Sequence, residues 1–88
     1  MALLRLRQQT LGTSLGAAIV IPAGWENLSI ELDDPSKALT VEIDGTYDFG
    51  GHHPTWELAT PGSSTSNSIS VKMKADEGTP VATVIWFQ

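Results

Sequence analysis

Apolar and polar residues alternate with a period of two in five separate runs of this 88-residue chain, a pattern that admits little besides β-strands. Leu4 and Leu6 alternate with Arg5 and Arg7, and Leu28, Ile30 and Leu32 with Ser29 and Glu31. Leu39, Val41 and Ile43 alternate with Thr40, Glu42 and Asp44, and Ile69, Val71 and Met73 with Ser70, Lys72 and Lys74. Trp56 and Leu58 flank Glu57 in the same way. Successive side chains of a strand point to opposite sides of the sheet, so each run offers one apolar face to a core and one polar face to water. Two further runs, Ala17–Ile21 and Val81–Phe87, are apolar on both faces. Apolar residues at helical spacing are not sustained anywhere. The pattern predicts an all-β fold: a small antiparallel β-sandwich of about seven short strands, of jelly-roll, tulip or Ig-like type. Residues 1–88 form a single domain on this reading, with residues 1–12 as an N-terminal arm or edge strand.

Turn chemistry punctuates the runs. Pro22-Ala23-Gly24 ends the second, Asp33-Asp34-Pro35-Ser36 the third, and Asp76-Glu77-Gly78-Thr79-Pro80 precedes the last. Asp44-Gly45 suits a tight hairpin turn, because both residues tolerate positive φ. Phe49-Gly50-Gly51-His52-His53-Pro54 reads as a loop, as does the Ser/Thr-rich stretch Thr60–Ser68.

The doubly apolar runs raise the question of what covers the second face. In the last run, Ala82, Val84 and Trp86 share one side, and Val81, Thr83, Ile85 and Phe87 the other. A two-layer sandwich buries one face of each sheet, and monomers seldom leave a large apolar patch open. The expectation is that another subunit covers it, with Val84, Trp86 and Val20 at the interface. The competing arrangement places these strands at a sandwich corner or beneath the Thr60–Ser68 loop.

Charge narrows the partners. The net charge is −5, and Arg5 and Arg7 are the cations of the first 25 residues. Residues 26–57 hold Glu26, Glu31, Asp33, Asp34, Glu42, Asp44, Asp48 and Glu57 against Lys37 alone. Such a balance argues against nucleic acid and against an anionic membrane surface. No run approaches the roughly 20 apolar residues of a membrane span. Gln8, Gln9 and Thr10 separate the arginines from the run Leu15–Ala23, and Gly12, Thr13, Ser14 and Gly16 dilute it, so the segment reads as strands and not as a secretory signal. The absence of cysteine excludes disulfides and thiolate zinc sites.

Chemistry-bearing constellations are sparse. His52-His53, with Asp48 nearby, lacks metal-ligand spacing and reads as a pair of solvated loop residues. Glu42 and Asp44 belong to the polar face of a strand, and Asp33 and Asp34 precede a proline as turn formers. A calcium loop drawing on Asp33, Asp34 or Asp48 would need a denser Asp/Asn run. The serines Ser63, Ser64, Ser66 and Ser68 crowd into one low-complexity loop, and no nucleophile elbow exists. Trp25, Trp56 and Trp86 lie in separate segments and read as core or interface residues. The chain is therefore expected not to be an enzyme and to use no cofactor.

Several segments together resemble a known group. Ile19-Val20-Ile21-Pro22-Ala23-Gly24 is followed by Leu28-Ser29-Ile30-Glu31-Leu32. Thr40-Val41-Glu42-Ile43-Asp44-Gly45 leads to Asp48-Phe49-Gly50-Gly51, then Thr55-Trp56-Glu57-Leu58, and the last run holds Ala82-Thr83-Val84-Ile85-Trp86. Across residues 17–86 this resembles small bacteriophage virion structural proteins of the capsid decoration, or cement, type. The resemblance implies a small sandwich or tulip that assembles as a homo-oligomer, often a trimer, and binds the major capsid protein. It implies a place on the capsid surface of the virion, after synthesis in the host cytoplasm, and it brings no catalytic residues. Arg5 and Arg7 are expected to dock on an acidic shell. The alternative is a carbohydrate-binding or host-surface adhesion module using Tyr47, His52, His53 and Trp56. An Asp-box turn matches at Thr46, Asp48 and Gly50, but Trp56 falls three positions too late.

Overall fold

A computed structural model describes the backbone of residues 3–34, 36–51, 55–58 and 67–88, and the side chains of these except 46–51 and 55–58. Eight strands are present: β1 (Leu4–Thr10), β2 (Ile19–Ile21), β3 (Glu26–Leu32), β4 (Leu39–Ile43), β5 (Thr46–Gly51), β6 (Thr55–Leu58), β7 (Ile69–Ala75) and β8 (Val81–Phe87). They form two four-stranded sheets, ordered β1-β8-β3-β6 and β2-β7-β4-β5, with antiparallel pairing throughout. The expected all-β antiparallel sandwich of about seven short strands is therefore present, with eight strands among the described residues.

The order of strands has a simple logic. β1 pairs with β8, β2 with β7, β3 with β6 and β4 with β5. First meets last, and the pairing continues inward to the central turn, as in one long hairpin rolled over on itself. The β3–β8 and β4–β7 pairings then join the rolled pairs into two sheets. This is jelly-roll topology, one of the sandwich types the alternation allows. At the centre Ile43 pairs with Thr46 across Asp44-Gly45, whose φ values are 51° and 83°. Positive φ at both positions makes the type I′ turn whose twist matches the flanking strands.

Two runs differ from their sequence pattern. β5 occupies Thr46–Gly51, so Phe49-Gly50-Gly51 is strand where the pattern reads loop. Paired glycines weaken the strand signal, and the turn before them sets the pairing. The second run contributes only Ile19–Ile21, with Ala17 and Ala18 exposed outside the strand.

The core is built by alternation from four strands: Leu28, Ile30 and Leu32 of β3, Leu39 and Val41 of β4, Ile69, Val71, Met73 and Ala75 of β7, and Ala82, Val84 and Trp86 of β8. Leu11, Ile21 and Trp25 complete it from segments near the ends of β1 and β2. Trp25 donates its indole N–H to Asn67 O at 3.2 Å. This corrects one expectation directly. Val84 and Trp86 are 0% and 3% exposed, so they form the inner face of β8 and not an outward interface. The face of β8 directed away from the core is Val81, Thr83, Ile85 and Phe87.

Acidic residues hold the strand connections. Asp33 Oδ1 accepts from Val81 N at 2.8 Å, Asp44 Oδ1 from Ser70 N at 2.9 Å and Asp76 Oδ1 from Ala38 N at 2.9 Å. Asp34 Oδ1 accepts from Ser36 N at 3.1 Å and from the Ser36 hydroxyl at 2.6 Å. Among the described residues, Lys37 and Glu77 make the one salt bridge, 3.1 Å long. The Ser36 hydroxyl and amide hold the Asp34 carboxyl below its ordinary 3.8, and Glu77 holds the Lys37 ammonium above its ordinary 10.5.

β3 carries one local irregularity. Its pairing with β8 steps from Glu26–Phe87 to Ser29–Ile85, so Asn27 and Leu28 together face Trp86 as a bulge. Asn27 has φ 51°, a left-handed conformation that asparagine tolerates and β-branched residues resist. Asn27→Gly is expected to leave stability within about 0.5 kcal/mol, whereas Asn27→Val costs about 1–2 kcal/mol in urea unfolding.

A second expectation concerns pH. The depressed Asp34 value means its contribution is present above pH 3.8 and lost as pH falls through the folded value. The raised Lys37 value means its contribution is complete below pH 10.5 and lost as pH rises through the folded value. Both side chains are half-buried at the surface and still screened by water, so the effects are small. In melting temperature followed against pH, Asp34→Asn should flatten only the acid limb and Lys37→Gln only the alkaline limb.

Candidate interaction site

The register of β1 against β8 decides which residues of the N-terminal strand face where. Arg5 pairs with Trp86, Arg7 with Val84 and Gln9 with Ala82. Directly opposed residues share a face of the sheet, so Arg5, Arg7 and Gln9 lie on the inward side. Leu4 pairs with Phe87 and Leu6 with Ile85, on the outward side. The leucines of β1 thus face away from the core, although alternation by itself would turn them toward it.

The short β2 explains this inversion. β1 has seven residues and β2 has three, and Arg5 and Arg7 on the inward face of β1 are exposed, so among the described residues no strand covers that part of the face. Arginines occupy that uncovered face and remain exposed, while the interior begins at Leu11, which is buried. Gln9 is half-buried and donates Nε2 to Ala17 O at 3.0 Å, tying β1 to the segment that crosses toward β2.

A groove of about 400 Å³ results, lined by Arg5, Arg7, Val20, Pro22, Trp86 and Gln88. Four of the five residues expected at an interface meet here: Arg5, Arg7, Val20 and Trp86. Val84 is buried on the inner face of β8, opposite Arg7 in the pairing. Gln88 and Pro22 carry no sequence signal for the site, since only the strand pairing brings them to it. Gln88 organises one end of the groove. Its Oε1 accepts the Trp86 indole N–H at 3.0 Å, and its Nε2 donates to Ala23 O at 2.8 Å. Arg7 Nη1 donates to the Leu6 carbonyl at 3.1 Å. Among the described residues, neither Arg5 nor Arg7 makes a salt bridge. The groove therefore combines two guanidiniums, an aromatic edge and aliphatic walls, a lining that suits carboxylate-bearing partners.

The outward face of the same two strands is apolar. Leu4, Leu6 and Phe87 are 59%, 48% and 38% exposed, and Ile85 is half-buried among them. The Gln8 amide donates to the Thr83 hydroxyl at 3.1 Å and begins the polar part of this face. Glu26, Ser29 and Glu31 of β3 border it on the other side of β8.

Residues of the alternative ligand site lie elsewhere. Tyr47 is on β5 and Trp56 on β6, the edge strands of the two sheets farthest from β1 and β2 in strand order. Register sets Trp56 opposite Ile30 and Tyr47 opposite Glu42. His52 and His53 lie outside the described residues. Trp25 is buried, as is Trp86, so neither offers an open stacking face. Among the described residues, no cluster of three or more His, Cys, Asp or Glu is placed to hold a metal ion, and no helix is long and apolar enough to cross a membrane.

No family model matches the sequence, and no curated protein or solved structure matches it either.

The clamp at the end of the groove is testable. Gln88→Ala removes both partners at once, and about 1 kcal/mol of stability should be lost in chemical denaturation. Trp86→Ala should cost about 3–5 kcal/mol, because it empties a large core position.

Proposed function

We propose that this chain is a non-catalytic assembly module, a virion structural protein of the capsid decoration type that works as a homo-oligomer on the head shell. The observation that carries the proposal is the apolar outward face of β1 and β8. Leu4, Leu6 and Phe87 are exposed side by side with the half-buried Ile85 among them, and among the described residues no strand covers this surface. A folded monomer gains nothing from four such residues in water, whereas burial contributes about 1.5–3 kcal/mol for each fully covered side chain.

In this proposal sister subunits cover the outward face, in a trimer if the assembly follows the resemblance. The major capsid protein lies against the Arg5–Arg7 side. The resemblance of residues 17–86 to phage decoration proteins supports the virion assignment. So does the jelly-roll topology, an architecture common among viral coat domains, although fold by itself does not decide function.

Sedimentation and light scattering test the assembly. The wild-type chain should be oligomeric at micromolar concentration. Leu6→Glu combined with Ile85→Lys should yield folded monomers, with subunit affinity weakened by at least ~100-fold. A wild-type monomer would overturn the assignment of the outward face. Co-sedimentation with phage heads, and a higher melting temperature of heads so decorated, tests the virion assignment separately.

A further inference from the structure

β1 is the edge of its sheet, and its free side presents backbone that no strand among the described residues pairs. Leu3 and Gln88 exchange both of their backbone hydrogen bonds, Leu3 N to Gln88 O at 2.8 Å and Gln88 N to Leu3 O at 2.9 Å. In an antiparallel ladder such pairs recur every second residue, so Arg5, Arg7 and Gln9 also direct their amides toward β8. The N–H and C=O groups of Leu4, Leu6, Gln8 and Thr10 consequently point to the open side. The Arg7 guanidinium already reaches that side, since it donates to the Leu6 carbonyl at 3.1 Å.

An open seven-residue edge invites strand addition, and proteins commonly guard such edges with inward-pointing charge. Arg5 and Arg7 are charges of that kind, and their spacing makes the guard selective. A second copy using the whole of β1 in antiparallel register would be centred on Arg7. It would set Arg7 against Arg7 in a non-hydrogen-bonded pair, with Cα atoms only about 4.5 Å apart. A register moved by one residue on each chain, centred on Leu6, sets Arg5 against Arg7. Like charges directly opposed in a sheet are destabilising. An incoming strand with carboxylates at those two positions meets the opposite situation: each gains a guanidinium, and Arg7 exchanges a carbonyl for a carboxylate partner. On the other face its alternate residues continue the apolar surface of Leu4 and Leu6.

We propose that the β1 edge is a docking site for an extended segment of another polypeptide in which Asp or Glu alternates with apolar residues. The segment adds to the sheet as a strand beside β1. Backbone hydrogen bonds to Leu4, Leu6 and Gln8 supply affinity, and Arg5 and Arg7 supply selection by charge. The site is separate from the outward face assigned to subunit assembly, and it stands whether or not the partner is a capsid protein.

The probes are two synthetic peptides, one alternating Glu with Val and one with Lys in place of each Glu, added to the full chain. Binding is followed by amide hydrogen exchange and by NMR shifts. The Glu peptide should bind and slow exchange at Leu4, Leu6 and Gln8, while the Lys peptide should bind at least ~10-fold more weakly. Arg5→Glu combined with Arg7→Glu should reverse that preference, and Arg5→Gln with Arg7→Gln should abolish it while leaving the fold intact. Equal binding of the two peptides, no binding of either, or protection confined to other strands would overturn the proposal. Binding of inorganic polyphosphate at Arg5 and Arg7 without protection of the Leu4 and Leu6 amides, alongside a Glu peptide that fails to bind, would overturn it in favour of a simple anion groove.

Discussion

The fold depends on the antiparallel pairing that begins at the Asp44-Gly45 turn and ends where β1 meets β8. Each strand pairs with the one equally distant from the turn, so an error of one residue at any level would rotate every later side chain to the wrong face. Two residues with positive φ fix the turn, and the bulge at Asn27 absorbs a mismatch between β3 and β8. The aspartates at the connections secure the remaining levels from outside, by accepting amide hydrogens that lack ladder partners. A small chain without disulfides gains definition from such local devices because its core is modest.

Much of this organisation is legible in the sequence. The alternating runs name the inner residues of β3, β4 and β7 correctly, and Asp-Gly marks the central hairpin. What cannot be read locally is which face of an ambiguous strand turns inward. In β8 both faces are apolar, and the choice of Val84 and Trp86 for the core rests on the pairing with β3 and β1. In β1 the pattern points the wrong way, because arginines occupy the inward side. The reason is the length of a different strand: β2 is too short to cover β1, and no window around Leu4 contains that information. The glycines of β5 hide a strand for a similar reason, since the turn before them supplies the order that their own propensity does not.

The candidate site shows the same division. Arg5, Arg7, Val20 and Trp86 do come together, yet through a groove at the sandwich edge and not through a shared apolar face. The apolar surface belongs instead to Leu4, Leu6, Ile85 and Phe87. One two-stranded ribbon thus separates two kinds of chemistry by the pleat alone, with cations on one side and hydrocarbon on the other. That separation lets a single short element meet two different neighbours without either interaction compromising the other.

The closure of β1 on β8 also has a mechanical meaning. Leu3 and Gln88 are hydrogen-bonded to each other at one corner of the molecule. Tension applied to these two residues would act across the strands and not along them. The rungs of the ladder would then yield one pair at a time, as a zipper does, instead of resisting together in shear. The ladder therefore tolerates little tension between Leu3 and Gln88, and it keeps its strength for forces that press on the faces of the sheet.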